Sequence, residues 1–334
     1  MRAYEITGPE GVDALALTER TLPVPGPGEV SVKMQANSIN YRDLSTIESP
    51  VGRGFDFPRV PNSDGAGTIT ALGTGVTGLQ VGDRVASCFM QNWPAGGITS
   101  GVMATALGGA VDGVLAEEVN LAAGGVIHFP DHLSFQEAAC LPCAGLTAWN
   151  CLMVQGDMKP GDTILLLGTG GVSIFGLQFA AMCGVRVIIT SSSDAKLARA
   201  KEMGAWATIN YRDNPEWQEE VLRLTDGKGV DIALETGGGG TLPRTIDAVR
   251  VGGTISLIGV LTGGDINPTA VMRKSIRLQG VYVGSSQMFA DMNAAISASG
   301  LKPVISDDFS FDNARDAYHA MRAAGHFGKI VITM

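Results

Sequence analysis

The run Thr163-Ile-Leu-Leu-Leu-Gly-Thr-Gly-Gly-Val-Ser-Ile-Phe-Gly176 leads an apolar stretch through closely spaced glycines into a further apolar stretch. Residues of these types at this spacing bind phosphate. Gly168 admits a tight turn, Gly170 and Gly171 let the backbone approach an anion, and Thr169 and Val172 complete the loop. A helix starting there adds unpaired N–H groups and the positive end of its dipole, so the ligand such a loop accepts is a pyrophosphate, and hence a dinucleotide. In the usual G-x-G-x-x-G spacing a third glycine would stand where this chain has Ser173, which makes the pattern weak by itself. Its setting supplies the rest: 164–167 reads as a strand buried on both faces, 174–183 as a helix and 185–190 as the next strand, a βαβ unit of the expected length.

The end of that second strand bears on which dinucleotide fits. A site for NAD closes the strand with a carboxylate, which binds the ribose hydroxyls and repels a 2′-phosphate. Here Thr190-Ser-Ser-Ser193 stands at that end. Small hydroxyls at Ser191 and Ser192 leave room for a phosphate, and Lys196 is close enough in sequence to approach it. Asp194 is read as the N-cap of the following helix. NADP(H) is therefore expected in preference to NAD.

Other chemistry-bearing residues form weaker patterns. The five cysteines, Cys88, Cys140, Cys143, Cys151 and Cys183, are odd in number and sit mostly in apolar surroundings, as buried thiols of a reducing compartment do. Cys140-Leu-Pro-Cys143 spells C-x-x-C but lacks a thioredoxin-like βαβ setting and a second ligand pair. His128 and His132 are four apart, yet Pro130 between them opposes a shared helical face, so both are read as loop residues.

These residues need elements to hold them. At 334 residues the chain has room for about two domains. Up to about residue 125 short alternating strands are punctuated by Gly and Pro, the texture of a mostly β, partly barrel-like module. At Phe129 the texture changes. Ser134 followed by Glu137 makes a capping box, and alternating helices and buried strands follow, the pattern of a doubly wound parallel sheet. The loops at the carboxyl ends of its strands, carrying Gly237, Gly259, Val260, Val281 and Val283, are expected to line a cofactor crevice. The last residues, 328–334, read as a strand returning to the first module. The expected division is 1–128 with 284–334 for the β module and 129–283 for the nucleotide domain inserted in it. The net charge of −9 offers no basic field for nucleic acid. No uninterrupted apolar window approaches the roughly 18 residues of a membrane span, and the first residues run into a strand rather than a leader, so a cytoplasmic protein is expected.

In this order the motifs resemble the medium-chain dehydrogenase/reductase superfamily, and within it the zinc-independent quinone oxidoreductase-like branch. The likeness spans the chain and rests on Ser38-Ile-Asn-Tyr-Arg-Asp-Leu44, Pro61-Asn-Ser-Asp-Gly-Ala-Gly67, Val81-Gly-Asp-Arg-Val85, Leu141-Pro-Cys-Ala-Gly-Leu-Thr-Ala-Trp149, the glycine turn and His326-Phe-Gly-Lys-Ile-Val331. The resemblance implies a GroES-like catalytic domain, a Rossmann domain and a nicotinamide at the cleft between them. Zinc-dependent members carry a Cys where Asn40 stands, Gly-His-Glu where Asn62-Ser63-Asp64 stands, and a third ligand near Cys143. Asp64 and Cys143 alone make a poor tetrahedral site, and Cys88 is the one thiol where a four-cysteine structural zinc loop would lie, so no metal is expected.

The resemblance sets Asn40 and Tyr41 against the nicotinamide as the candidate catalytic residues. Without a Lewis acid, adding hydride to an activated C=C is easier than oxidising a simple alcohol. The expected substrate is a small electrophile, an enone or a quinone. Tyr41 is the candidate proton donor, with a packing tyrosine and a solvent proton as the alternative. Asn40 is a hydrogen-bonding partner for carboxamide, ribose or substrate carbonyl, and Asp43 pairs with Arg42 or orients the donor. Thr147 matches a family threonine that reaches the nicotinamide, or else bonds a carbonyl one turn back. Tyr211 matches a position that covers the adenosine. An alcohol dehydrogenase-like activity and a non-catalytic NADPH-binding protein are the rival readings. The family also implies a homodimer, built on the last strand of the nucleotide sheet at 276–283.

Overall fold

Thr163–Leu167 is buried along its whole length, which an apolar strand achieves only with a neighbour on each edge and helices on both faces. Its neighbours are Arg186–Ser191 and Val230–Glu235 in a six-stranded, wholly parallel sheet. The order across that sheet is Ala207–Asn210, Arg186–Ser191, Thr163–Leu167, Val230–Glu235, Val249–Leu257 and Arg277–Gly280. Numbered along the chain, this is 3-2-1-4-5-6, the Rossmann order whose crevice opens at the carboxyl ends of the central strands. Ile188, Ile209, Val221, Leu242, Ile246 and Ile255 belong to the core beside it.

The computed structural model describes residues 1–50, 54 and 56–334. They group into two units, Met1–Leu146 with Ser285–Met334, and Thr147–Gly284. The sequence places the boundary at residue 129, where helices begin. The helix Phe135–Ala139 does open there on the expected capping box of Ser134 and Glu137. It packs on the β unit, however: Ser38 Oγ donates to Ala139 O at 2.8 Å, and Cys143 N–H donates to Asp64 at 3.1 Å. A change of texture marks a new kind of element rather than a new packing partner.

The first unit is built on a mixed sheet. Across it run Ile305–Ser310, Lys329–Thr333, Glu29–Ile39, Asp64–Leu72, Arg84–Ser87 and Val126–His128, and Glu118–Ala122 also pairs with Glu29–Ile39. This is the mostly β, GroES-like half. Val30, Val32, Met34, Ile69, Val85, Ile330 and Ile332 form its core with Tyr318. Lys329–Thr333 lies between Ile305–Ser310, to which it is parallel, and Glu29–Ile39, to which it is antiparallel.

Three local expectations need correction. The last strand of the nucleotide sheet is Arg277–Gly280, so Val281 and Val283 lie beyond its end. The N-cap of Asp194–Glu202 is Ser193, whose side chain accepts from the Lys196 N–H, while Asp194 receives the Asn210 amide at 2.7 Å. His128, read as a loop residue, closes the strand Val126–His128. Among the described residues no helix is long and apolar enough to cross a membrane.

Candidate functional site

In the second unit the glycine turn has the shape its composition requires. Gly168 sits at φ +73°, in the left-handed region that glycine enters freely. Gly170 is the N-cap of the helix Gly171–Met182, and having no side chain it leaves the first-turn N–H groups to a ligand. Ser173, in place of the third glycine, donates to Leu167 O at 2.7 Å and ties helix to strand. Close helix–sheet packing is met one turn later: a Cβ on Gly176 would lie 3.1 Å from a Leu166 methyl and 3.3 Å from a Leu234 methyl.

The neighbouring loops are held in place. Glu235 is fully buried and its carboxylate accepts from Gly237 N at 2.8 Å, Gly238 N at 3.0 Å, Thr241 Oγ1 at 2.6 Å and Thr245 Oγ1. Gly259 packs so tightly that a Cβ would lie 2.3 Å from the Thr236 carbonyl carbon, whereas Val260 beyond it is exposed. Val283 adopts φ +56°, a strained conformation for a β-branched residue, and its carbonyl is held by the buried Asn150 amide at 2.7 Å. Val281 N–H donates to Leu257 O at 3.0 Å. At the second strand Thr190 and Ser191 are buried, Ser192 and Lys196 partly so, and burial lowers the Lys196 pKa. Tyr211 is half exposed, with its N–H on Ser191 O at 3.1 Å. Thr147 and Thr169 are buried, Thr147 in the short helix Leu146–Trp149.

The first unit holds a buried polar cluster. Pairing of Ile330 with Ile39, and of Ser38 with Asp64, brings Lys329 beside Asn40 and carries Asp64 onto the same strand system. Lys329 is 3% exposed; its Nζ donates to Ile39 O at 2.7 Å and to Asn40 Oδ1 at 2.6 Å. Asp64 is fully buried and accepts from Ser63 Oγ at 2.6 Å and Cys143 N at 3.1 Å, with Ser38 Oγ at 3.5 Å. Burial pushes its carboxyl above the usual range, against the pull of the Lys329 ammonium. Asp43 accepts from the Asn40 backbone N–H at 2.8 Å and makes the ion pair weighed for it with Arg42, at 3.0 Å. Tyr318 donates to Asn62 Oδ1. Tyr41 opens the helix Tyr41–Glu48 and is 42% exposed.

Asn40 occupies the N-cap position of that helix, but its amide oxygen is taken by Lys329, and its Nδ2 has no hydrogen-bond partner among the described residues. The amide does favour the ionised form of nearby Asp64, though no bond of acceptable length and angle joins them. Sequence reasoning found Asn40 but missed Lys329. Its signal was a lysine opening an otherwise apolar strand, and that pattern reads equally well as a strand end in water.

Four of the thiols are held protonated. Burial raises Cys88 to about 11 and Cys140 and Cys151 to about 12, and pushes Cys143 up as well. His128 pairs with Asp83 at 3.0 Å and His132 meets Leu301 O at 3.0 Å. Among the described residues no group of three His, Cys, Asp or Glu is arranged to hold a metal ion.

Residues 26–131 match the alcohol dehydrogenase GroES-like domain family, and residues 171–298 match a family described as zinc-binding dehydrogenase. A zinc-type alcohol dehydrogenase-like protein of Schizosaccharomyces pombe is 41% identical, covering 96% of each chain. A quinone oxidoreductase of Pseudomonas aeruginosa is 34% identical over 72% of this chain and 67% of its own. Of solved structures, an NAD-dependent alcohol dehydrogenase matches with a TM-score of 0.90 at 31% identity, covering 100% of both chains. A mycobacterial protein complexed with NADPH matches with a TM-score of 0.85 at 27% identity, also over 100% of both.

Proposed function

The chain belongs to the medium-chain dehydrogenase/reductase superfamily and is an NAD(P)-binding oxidoreductase; on that premise we propose that it reduces the activated C=C of an enone or quinone with NADPH and no catalytic metal. When bound, the coenzyme supplies hydride from its nicotinamide ring. The chain's own residues do the remaining work. The turn at Gly168 to Val172 offers backbone N–H groups to the pyrophosphate, and the hydroxyls of Ser191 and Ser192, with Lys196, receive a 2′-phosphate that a carboxylate would repel.

The donor set around Asn40 is unsuited to zinc, and this observation carries the proposal. Zinc requires deprotonated thiolate, neutral imidazole or carboxylate ligands, commonly three from the protein at a catalytic site. Here the amide of Asn40 and the hydroxyl of Ser63 supply no such ligand, and the Asp64 oxygens are engaged by Ser63 and the Cys143 N–H. The cation beside Asn40 is the ammonium of Lys329. The segment matching the zinc-binding dehydrogenase family, residues 171–298, contains one cysteine, Cys183, and no histidine.

The reaction then leans on the substrate's own carbonyl. As hydride reaches the β-carbon, the C=C electrons move toward the carbonyl and its oxygen takes up negative charge as an enolate. Asn40 Nδ2 is a donor suited to that oxygen. A proton delivered to the α-carbon completes the reduction, and Tyr41 at the head of its helix is the candidate source.

The test combines metal analysis of the purified protein with turnover of 2-cyclohexen-1-one and 1,4-benzoquinone against NADPH, and of a primary alcohol against NADP⁺. We expect substoichiometric metal, faster turnover of the electrophiles and no effect of chelator. A bound metal whose removal abolishes alcohol oxidation would establish the second reading, alcohol dehydrogenation, which the names of some of the relatives favour.

A further inference from the structure

An ammonium group has hydrogens to donate and no lone pair to offer. An amide beside it must therefore present oxygen, never nitrogen. Lys329 Nζ lies 2.6 Å from Asn40 Oδ1 and is fixed from its other side by Ile39 O at 2.7 Å. With the oxygen so engaged, the Asn40 NH₂ points away from Lys329; the buried Asp64 carboxyl is near enough for the amide to favour its ionised form, yet among the described residues no hydrogen bond of acceptable length and angle satisfies Nδ2, although the side chain is 8% exposed. Leaving a buried N–H unpaired is costly, and such donors in folded proteins have a reason to be kept. Asn40 and Asp43 form the capping box of this helix, Asp43 accepting from the Asn40 backbone N–H, and neither half of that box uses the Asn40 Nδ2.

We propose that Lys329 is a positioning residue that locks the Asn40 amide so that its Nδ2–H is presented to a carbonyl oxygen of the bound reactants. The inference rests on the functional reading above and adds to it the residue that orients the donor and the polarity of the atom it meets. That oxygen belongs either to an enone or quinone substrate or to the carboxamide of the nicotinamide. A phosphate-bearing or cationic group is not the partner: the first is provided for at the glycine turn, and the second has nothing to donate to here.

The test uses Lys329→Met, which removes the donor to Oδ1, Lys329→Gln, whose amide can still donate to it, Asn40→Ala, and the Lys329→Met/Asn40→Ala pair. Kinetics with NADPH and 2-cyclohexen-1-one are joined by fluorescence titration of NADPH and by NMR of asparagine side-chain ¹⁵N, the Asn40 signal being assigned by its absence from Asn40→Ala. Lys329→Met should cost roughly tenfold in kcat/KM, about what one lost hydrogen bond in the transition state removes, and should cost little further once Asn40 is alanine. Lys329→Gln should recover most of that loss. The Asn40 signal should shift in Lys329→Met and stay in place in Lys329→Gln. A loss confined to NADPH affinity assigns the carboxamide as acceptor, and a loss in enone kinetics at unchanged NADPH affinity assigns the substrate.

Losses that multiply independently in the double variant, or an Asn40 signal indifferent to Lys329→Met, overturn the proposal. Should Lys329→Met not fold, Asn40→Asp keeps the test decisive: it still accepts from Lys329 but has no N–H, and retention of wild-type values by it would refute the role. If the wild-type protein reduces no electrophile, the functional reading fails by itself, while the NMR comparison still judges whether Lys329 fixes the amide.

Discussion

Asp64 and its neighbours show how burial and pairing compete at a single side chain. Its carboxyl is raised above the ordinary carboxylate range because desolvation outweighs Lys329 and Ser63. A carboxyl whose folded pKa exceeds its unfolded value binds its proton more tightly when folded. Its contribution to stability is therefore complete below about pH 4 and is lost as the pH rises through the raised value. Relative to Asp64→Asn, the wild-type protein should thus lose ground in urea denaturation as pH climbs from 4 to 8; a gain instead would mean that the ammonium outweighs burial. The thiols offer a second check. With Cys88 near 11 and Cys140 and Cys151 near 12, their thiolate fractions at neutral pH fall far below that of an ordinary cysteine. Native protein treated with iodoacetamide at pH 7.5 should carry its first label on Cys183, which mass spectrometry of peptides will show. At this scale sequence alone singled out Asn40, Tyr41 and the glycines as candidates, through spacing and resemblance. It did not reach Lys329 or the orphan Nδ2, because neighbours distant in the chain decide whether a lysine is buried and which way an amide faces.

Elements were more legible, since periodicity and glycine placement are local. The parallel strands and the helix after the turn follow directly from apolar runs and punctuation. The errors are equally physical: Ser193 and Asp194 both satisfy the rule for an N-cap, and one residue decides between them. Ile305–Ser310 is hard to read as a strand because three of its six residues are exposed, so its pattern carries little apolar alternation. The turn itself makes the sharpest prediction. Gly168 has open space where a Cβ would go, so only its φ of +73° opposes a side chain. Gly168→Ala should cost about 1–2 kcal/mol in thermal or urea unfolding. It should also weaken NADPH in a fluorescence titration by distorting the phosphate loop. Unchanged unfolding with unchanged affinity would show that the loop tolerates another conformation.

For the whole molecule, the order of elements gave the fold class from sequence, including the return of the last strand to the first module. The partition of residues 129–146 was not legible, because which sheet a helix packs on is a long-range property. Quaternary structure is a proposal that rests on the sheet edge. Arg277–Gly280 is the outermost strand of the parallel sheet and among the described residues pairs only with Val249–Leu257. An unpaired edge of this kind invites a second copy, and light scattering at micromolar concentration should give twice the 34.7 kDa chain mass; a monomer mass would refute it. The place of Lys329–Thr333 inside the first sheet has a consequence for biogenesis. The bond from Lys329 to Ile39 spans 290 residues, and at about 5–20 residues per second a ribosome needs roughly 15–60 s to deliver the second partner after the first. Throughout that interval residues 36–39 of the strand wait with one edge open while the whole Thr147–Gly284 unit is translated, residues 29–33 being covered earlier by Glu118–Ala122. The nascent N-terminal half is thus the part a chaperone would have to shelter, and it is finished only when Lys329–Thr333 leaves the exit tunnel.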